Sequence, residues 1–103
     1  MDSKTLSLPK LNQLSPTLES TALKLMEETG ELAQVIGKYR GLSGEKVQMD
    51  QERIAQEIAL ELLDVAQTAV TMMFVMEEEF GIDIDSALQD HVAKLERKGY
   101  ILR

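Results

Sequence analysis

The chain has 103 residues, 44% hydrophobic and 28% charged, the size and composition of a single globular domain. It carries no cysteine and one histidine, His91, which excludes disulfides, thiolate chemistry and a multi-histidine zinc site within one chain, and leaves carboxylates as the plentiful ligands. A net charge of -7 argues against a nucleic-acid polymer as partner, because such binding rests on clustered lysine and arginine.

Residues 1–10 hold no apolar run of signal-peptide length. The longest apolar stretch, Val65 to Met76, is too short and too interrupted to span a bilayer, so a cytoplasmic protein with no membrane partner is expected. In residues 1–14, Leu6, Leu8, Leu11 and Leu14 suggest a short helical turn that lays its leucines on the body. Ser15-Pro16 then predicts a helix start, with serine as cap and proline at the first helical position. The first long helix runs to about Arg40, with Leu18, Ala22, Leu25, Met26, Leu32, Ala33, Val35 and Ile36 as a wide apolar face and Gly41, Ser43 and Gly44 as stop signals. After a loop, Asp50 can cap a second helix from Gln51 to about Phe80, which Gly81 ends. Asp83 or Asp85 opens a third helix, where Ile84, Leu88, Val92 and Leu95 recur at helical spacing until Gly99. With no strand signals, repeats or low-complexity tracts, residues 1–103 read as one all-α domain, an antiparallel bundle of three main helices.

The second helix is apolar on two sides. At about 100° per residue, Ile54, Ile58, Leu62, Val65, Ala69, Met72, Met76 and Phe80 fall in an arc of roughly 80°, while Leu60, Leu63, Val70 and Phe74 lie roughly opposite. Two short neighbours cannot cover both faces. Four-helix packing, completed by a second chain as a homodimer or homotetramer, is therefore expected. Between the two faces lies a band of acids, Glu57, Glu61 and Asp64. The first helix has its own, Glu27, Glu28 and Glu31, with Gly30 between them; a mid-helix glycine costs about 1 kcal/mol relative to alanine, and here it suggests a close backbone approach. If the helices pack antiparallel the two sets face each other, and carboxylates converging in a partly apolar groove raise one another's pKa unless a hard cation neutralises them. Either acid pair alone would more often be a solvated helix face. Mg²⁺, with Mn²⁺ as the alternative, is the economical reading of both together.

The run Lys24-Leu25-Met26-Glu27-Glu28-Thr29-Gly30-Glu31-Leu32-Ala33, followed by Glu57-Ile58-Ala59-Leu60-Glu61-Leu62-Leu63-Asp64-Val65, resembles the EExxE and ExxD signature of MazG-like nucleotide pyrophosphohydrolases, in the all-α NTP pyrophosphatase superfamily, over roughly residues 15 to 98. The resemblance implies Mg²⁺-dependent hydrolysis of a nucleoside triphosphate to the monophosphate and pyrophosphate by an oligomeric helical bundle. By motif position, Glu28, Glu31, Glu61 and Asp64 would be the metal ligands and Glu57 a supporting acid. Glu27 would stand behind the ligands or hold further metal and water, and the acceptor of the attacking water's proton would be Glu27 or Glu31. Lys94, Arg97 and Lys98 on the third helix are candidates for phosphate contacts, although basic residues near a helix C-terminus are also favoured by the dipole alone. Lys38, Arg40 and Lys46 are weaker candidates. Tyr39 is the best-placed ring for stacking on a base, with helix-end packing as its other explanation. Met72, Met73 and Met76 read as core before pocket, and His91 as a core or interface residue. The segment between the motifs, Leu32 to Leu60, lies at or beyond the long end of the family's spacing. With the chain ending at Arg103, a substrate-closing tail of the kind seen in relatives is expected to be missing. Two other readings stand beside the first. One is a phosphoribosyl-ATP pyrophosphohydrolase, from which the Gly-Glu-Leu-Ala run leans away; the other is a non-catalytic helical oligomerisation or regulatory module.

Overall fold

A computed structural model of the protein describes residues 2–40 and 51–102. Regular structure among them is helical throughout: α1 (Leu18–Tyr39), α2 (Gln51–Phe80) and α3 (Ile84–Arg97). The all-α class stands. The stop signals at Gly41, Ser43 and Gly44, the basic Lys46 and the Asp50 cap lie outside the described residues.

Helix α1 begins later than Ser15-Pro16 predicts. Thr17 is the cap, its hydroxyl accepting from the Ser20 amide at 3.0 Å while Ser20 Oγ accepts from the Thr17 amide at 2.8 Å. This reciprocal capping box satisfies two N–H groups that a Ser15 cap would have left to water. Pro16 is thereby placed outside the helix. The leucines ahead of it form no helical turn; residues 2–17 run as an irregular strap across α2. Gln67 Nε2 donates to the carbonyl oxygen of Pro9 at 2.9 Å, Lys10 pairs with Glu78, and the Lys10 ammonium sits 5.8 Å from the centroid of the Phe74 ring. Helix α2 stops at Gly81 and α3 at Gly99, both with positive φ (64° and 76°). After α3 the amide of Gly99 bonds the Glu96 carbonyl and that of Tyr100 bonds Leu95, a Schellman ending that needs glycine's left-handed conformation. Asp83 caps α3 by accepting from the Ser86 amide at 3.2 Å.

Helices α1 and α2 form the principal packed pair, and α3 packs against neither to a comparable extent. Their seam follows a seven-residue step: Thr21, Glu28 and Val35 on α1, Ile54, Glu61, Thr68 and Val75 on α2. Thr21, Glu28, Ile54, Thr68 and Val75 are buried, and Val35 and Glu61 half-buried. A seven-residue step keeps one stripe of each helix facing its partner over many turns. The contact is therefore centred on the acid band and its threonines, not on the apolar arc that periodicity picks out. Within that arc Ile54 is buried, but Leu62 and Phe80 are more than half exposed. Gly30 also departs from expectation, since a Cβ built on it would meet nothing within 4 Å among the described residues. By length and apolar content α2 is long enough to cross a bilayer, more than the sequence suggests, yet the same helix carries Glu57, Glu61 and Asp64, whose charges are expensive at membrane depth.

Candidate metal centre

The antiparallel course of the two helices follows from which residues meet. Thr21 shares a cleft with Thr68 and Thr71, Glu28 shares it with Asp64, and one turn further along α1 Glu31 meets Glu61. One carboxylate oxygen from each of Glu28, Glu31 and Glu61 lies within 4.8 Å of the other two. Glu28 is only 6% exposed, and Oε2 of Glu28 and Oε2 of Glu61 are both buried without a hydrogen-bond partner among the described residues. Ionised oxygens left in that state cost several kcal/mol unless something positive meets them. Three hard oxygen donors converging on one point, two of them with an unpaired buried atom, are a donor set that fits a divalent cation of the Mg²⁺ or Mn²⁺ kind.

The chain's own compensation is partial. Lys24 Nζ donates to Glu28 Oε1 at 3.0 Å and lies 4.0 Å from Glu27, so it neutralises the α1 side and leaves the second oxygens of Glu28 and Glu61 unpaired. The hydrogen bond to Glu28, then the charges of Glu27 and Glu28, hold the Lys24 ammonium above its ordinary range. Repulsion from the Glu28 carboxylate, helped by desolvation and by Glu61, pushes the Glu31 carboxyl above the ordinary 4.5. The cluster is thus under like-charge strain that a cation relieves.

Beside it opens a cleft of about 420 Å³, within the ~300–1,000 Å³ of small-molecule sites. Leu11, Leu14, Ser15 and Pro16 of the strap form one wall. Ser20, Thr21, Lys24 and Glu28 of α1 and Asp64, Gln67, Thr68 and Thr71 of α2 form the others.

Of the acids the sequence singles out, Glu28, Glu31 and Glu61 come together. Asp64 lies one turn along, on the cleft wall with Glu28, outside the tight group of three. Glu57 is half-buried one turn before Glu61, and Glu27 points outward beside Lys24. Tyr39 packs at the end of α1 with the Arg40 guanidinium 5.1 Å from its ring and lines no part of the cleft. Lys94, Arg97 and Lys98 sit exposed on or just after α3, away from the cleft, with Lys98 over the Tyr100 ring. His91 is exposed rather than in a core. Sequence reasoning missed Lys24, Thr21, Gln67 and Thr68. The signal for Lys24 was there, since lysine four residues before Glu28 sits directly over it on the helix. The threonines were legible only through the seven-residue register.

The structure is thus an all-α one in which a pair of antiparallel helices carries a layer of converging carboxylates on its seam, next to a cleft of ligand size. The model of the MazG nucleotide pyrophosphohydrolase domain matches residues 16–99, and the chain belongs to that family of nucleotide-hydrolysing, generally metal-dependent proteins. No curated protein and no solved structure matches the chain significantly.

Proposed function

We propose that the protein is a Mg²⁺-dependent nucleoside triphosphate pyrophosphohydrolase, acting as a homodimer or homotetramer. It would release pyrophosphate from an NTP or dNTP, standard or modified, and leave the monophosphate. The observation that carries this reading is the pair of unpartnered buried oxygens on Glu28 and Glu61, within a carboxylate group that also includes Glu31 and in a chain of the MazG family.

Glu28, Glu31 and Glu61 would hold the cation, with Asp64 available from the adjoining wall. When bound, the metal polarises phosphoryl oxygens, stabilises the leaving pyrophosphate and acidifies a water. The chain's own residues do the rest. The helix seam fixes the carboxylates before substrate arrives, so little reorganisation is needed as charge develops. Glu31 is the better acceptor for the water's proton than Glu27, because it faces the cluster, whereas Glu27 is exposed and tied to Lys24. As the water oxygen bonds to phosphorus and the bond between the α- and β-phosphates breaks, the proton passes to Glu31 and pyrophosphate departs. Lys24, at the cleft mouth beside Glu28, can release its ion pair to a phosphate oxygen once a cation occupies the cluster. Lys94, Arg97 and Lys98 would reach phosphates only from another subunit, which the oligomer could supply. The open apolar surface supports that assembly: Leu60 is 63% and Leu63 is 42% exposed on α2.

A panel of nucleotides assayed for pyrophosphate, with and without Mg²⁺, tests the reading. Activity lost on chelation and in Glu61→Gln supports it; a folded, metal-loaded protein inert on every nucleotide would leave the oligomerisation or regulatory module as the better account.

A further inference from the structure

The cleft next to the carboxylates is unusual in which hydrogen-bonding atoms it has left to offer. Thr21, Thr68 and Thr71 line it and are each more than nine-tenths buried. The Thr21 hydroxyl spends its single hydrogen on the carbonyls of Thr17 and Leu18, at 2.8 and 3.0 Å. Thr68 spends its own on the Asp64 carbonyl at 2.9 Å. Gln67 Nε2 donates to the Pro9 carbonyl and, at 3.2 Å, to Thr71 Oγ1. A carbonyl can only accept, so Pro9 fixes which way round the amide lies, and Oε1 is the atom left over. On the two helical walls the neutral polar groups therefore present acceptors, Thr21 Oγ1, Thr68 Oγ1 and Gln67 Oε1, with the Thr71 O–H as the remaining hydrogen there; Ser15 on the strap wall brings a further O–H, and the Lys24 ammonium is engaged by Glu28. Glu28 and Asp64 add carboxylates to the same side.

Resting on the reading above, we propose that this cleft is the nucleoside subsite and that its acceptor-rich helical wall selects a base with an amine at pyrimidine C4 or purine C6, cytosine or adenine, over uracil and hypoxanthine, which carry a carbonyl there. Shared lining by Glu28 and Asp64 joins the cleft directly to the place where the phosphates would be cut. Its apolar strap wall of Leu11, Leu14 and Pro16 meets one face of a flat ring, which suits a cleft with no aromatic side chain among its lining residues. An amine meets the Gln67 and threonine oxygens as a donor. A carbonyl in the same place sets acceptor against acceptor and leaves both unpaired, the kind of mismatch by which sites built for an NH reject its isostere. Gln67 is the specificity residue in this arrangement, held in position by the strap.

The test compares isosteric pairs on the full chain with Mg²⁺: CTP against UTP, and ATP against ITP. The amino member of each pair should have a kcat/KM at least about tenfold higher. Gln67→Leu and, because Gln67 also latches the strap, Thr68→Val as a second variant should each bring the ratios towards one. Amide chemical shifts, recorded without metal, should move at Thr21, Gln67, Thr68 and Thr71 with CMP and much less with UMP. Ratios within threefold or inverted in an active enzyme, or shifts from CMP that map elsewhere or equal those from UMP, would overturn the proposal. If no triphosphate is hydrolysed, the catalytic reading fails by itself, and the titrations with CMP and UMP still decide the cleft.

Discussion

Glutamates 28, 31 and 61 are placed where a carboxylate is least comfortable, and their substitutions should behave accordingly. Glu61→Gln removes a half-buried charge with an unpaired oxygen and no lysine partner among the described residues, so the metal-free protein should become more stable by about 1 kcal/mol, or roughly 4–8 °C in Tm for a domain of this size, while losing any stabilisation by Mg²⁺. Thermal scans with and without metal read both effects. Glu31 gives a pH signature. Its carboxyl is raised in the fold, so the metal-free folded state keeps a proton that the unfolded chain gives up near 4.5. That contribution is whole below 4.5 and is lost as the pH rises through the raised value; Tm should fall across that window in wild type and fall less in Glu31→Gln. Gly30→Ala, on an open helix face, should add about 1 kcal/mol in chemical denaturation, provided no partner chain covers it. At this scale the sequence was informative because motif spacing puts Glu28, Glu31, Glu61 and Asp64 on facing turns. It could not reveal Lys24's ion pair with Glu28 or the hydrogen bonds that make Gln67 present an acceptor, since both depend on rotamers and on a strap distant in sequence.

Among the elements, the three helices were legible to within a few residues, because apolar periodicity runs along them, Gly81 ends α2, and Asp83 and Gly99 bound α3. The start of α1 was misplaced because Thr17 and Ser20 form a reciprocal cap that competes with Ser15 and Pro16. Thr17→Ala should cost about 1 kcal/mol, read by urea unfolding. The face of α2 that packs on α1 was misjudged for a different reason. Counting apolar residues finds the greasiest arc, but the seam follows the seven-residue step through Ile54, Glu61, Thr68 and Val75, where two of the four are polar. Polar residues are tolerated there because the threonines bond their own helix or Gln67, and Glu61 converges with Glu28 and Glu31 in the carboxylate cluster. Ile54, 1% exposed at one end of the seam, should cost about 2–5 kcal/mol when cut to alanine.

Across the whole molecule, one chain leaves much apolar surface uncovered. The strap of residues 2–17 shields Phe74, but Leu60 and Leu63 on the same side of α2 stay open, as do Leu23 and Met26 on α1. Exposed apolar surface of this extent is the basis for proposing self-association. Analytical ultracentrifugation should find a dimer or tetramer that Leu63→Glu shifts towards monomer; a wild-type monomer at micromolar concentration would contradict this. The two apolar faces of α2 were readable in the sequence, and the exposed Leu60 and Leu63 show that the single chain leaves one of them open. The most direct test of the account is product analysis from a nucleotide panel with Mg²⁺ and the purified chain. Equimolar monophosphate and pyrophosphate from at least one triphosphate, absent after chelation and in Glu61→Gln, is the predicted result. Release of orthophosphate instead, or no product from any nucleotide while the protein is folded and binds metal, would contradict it.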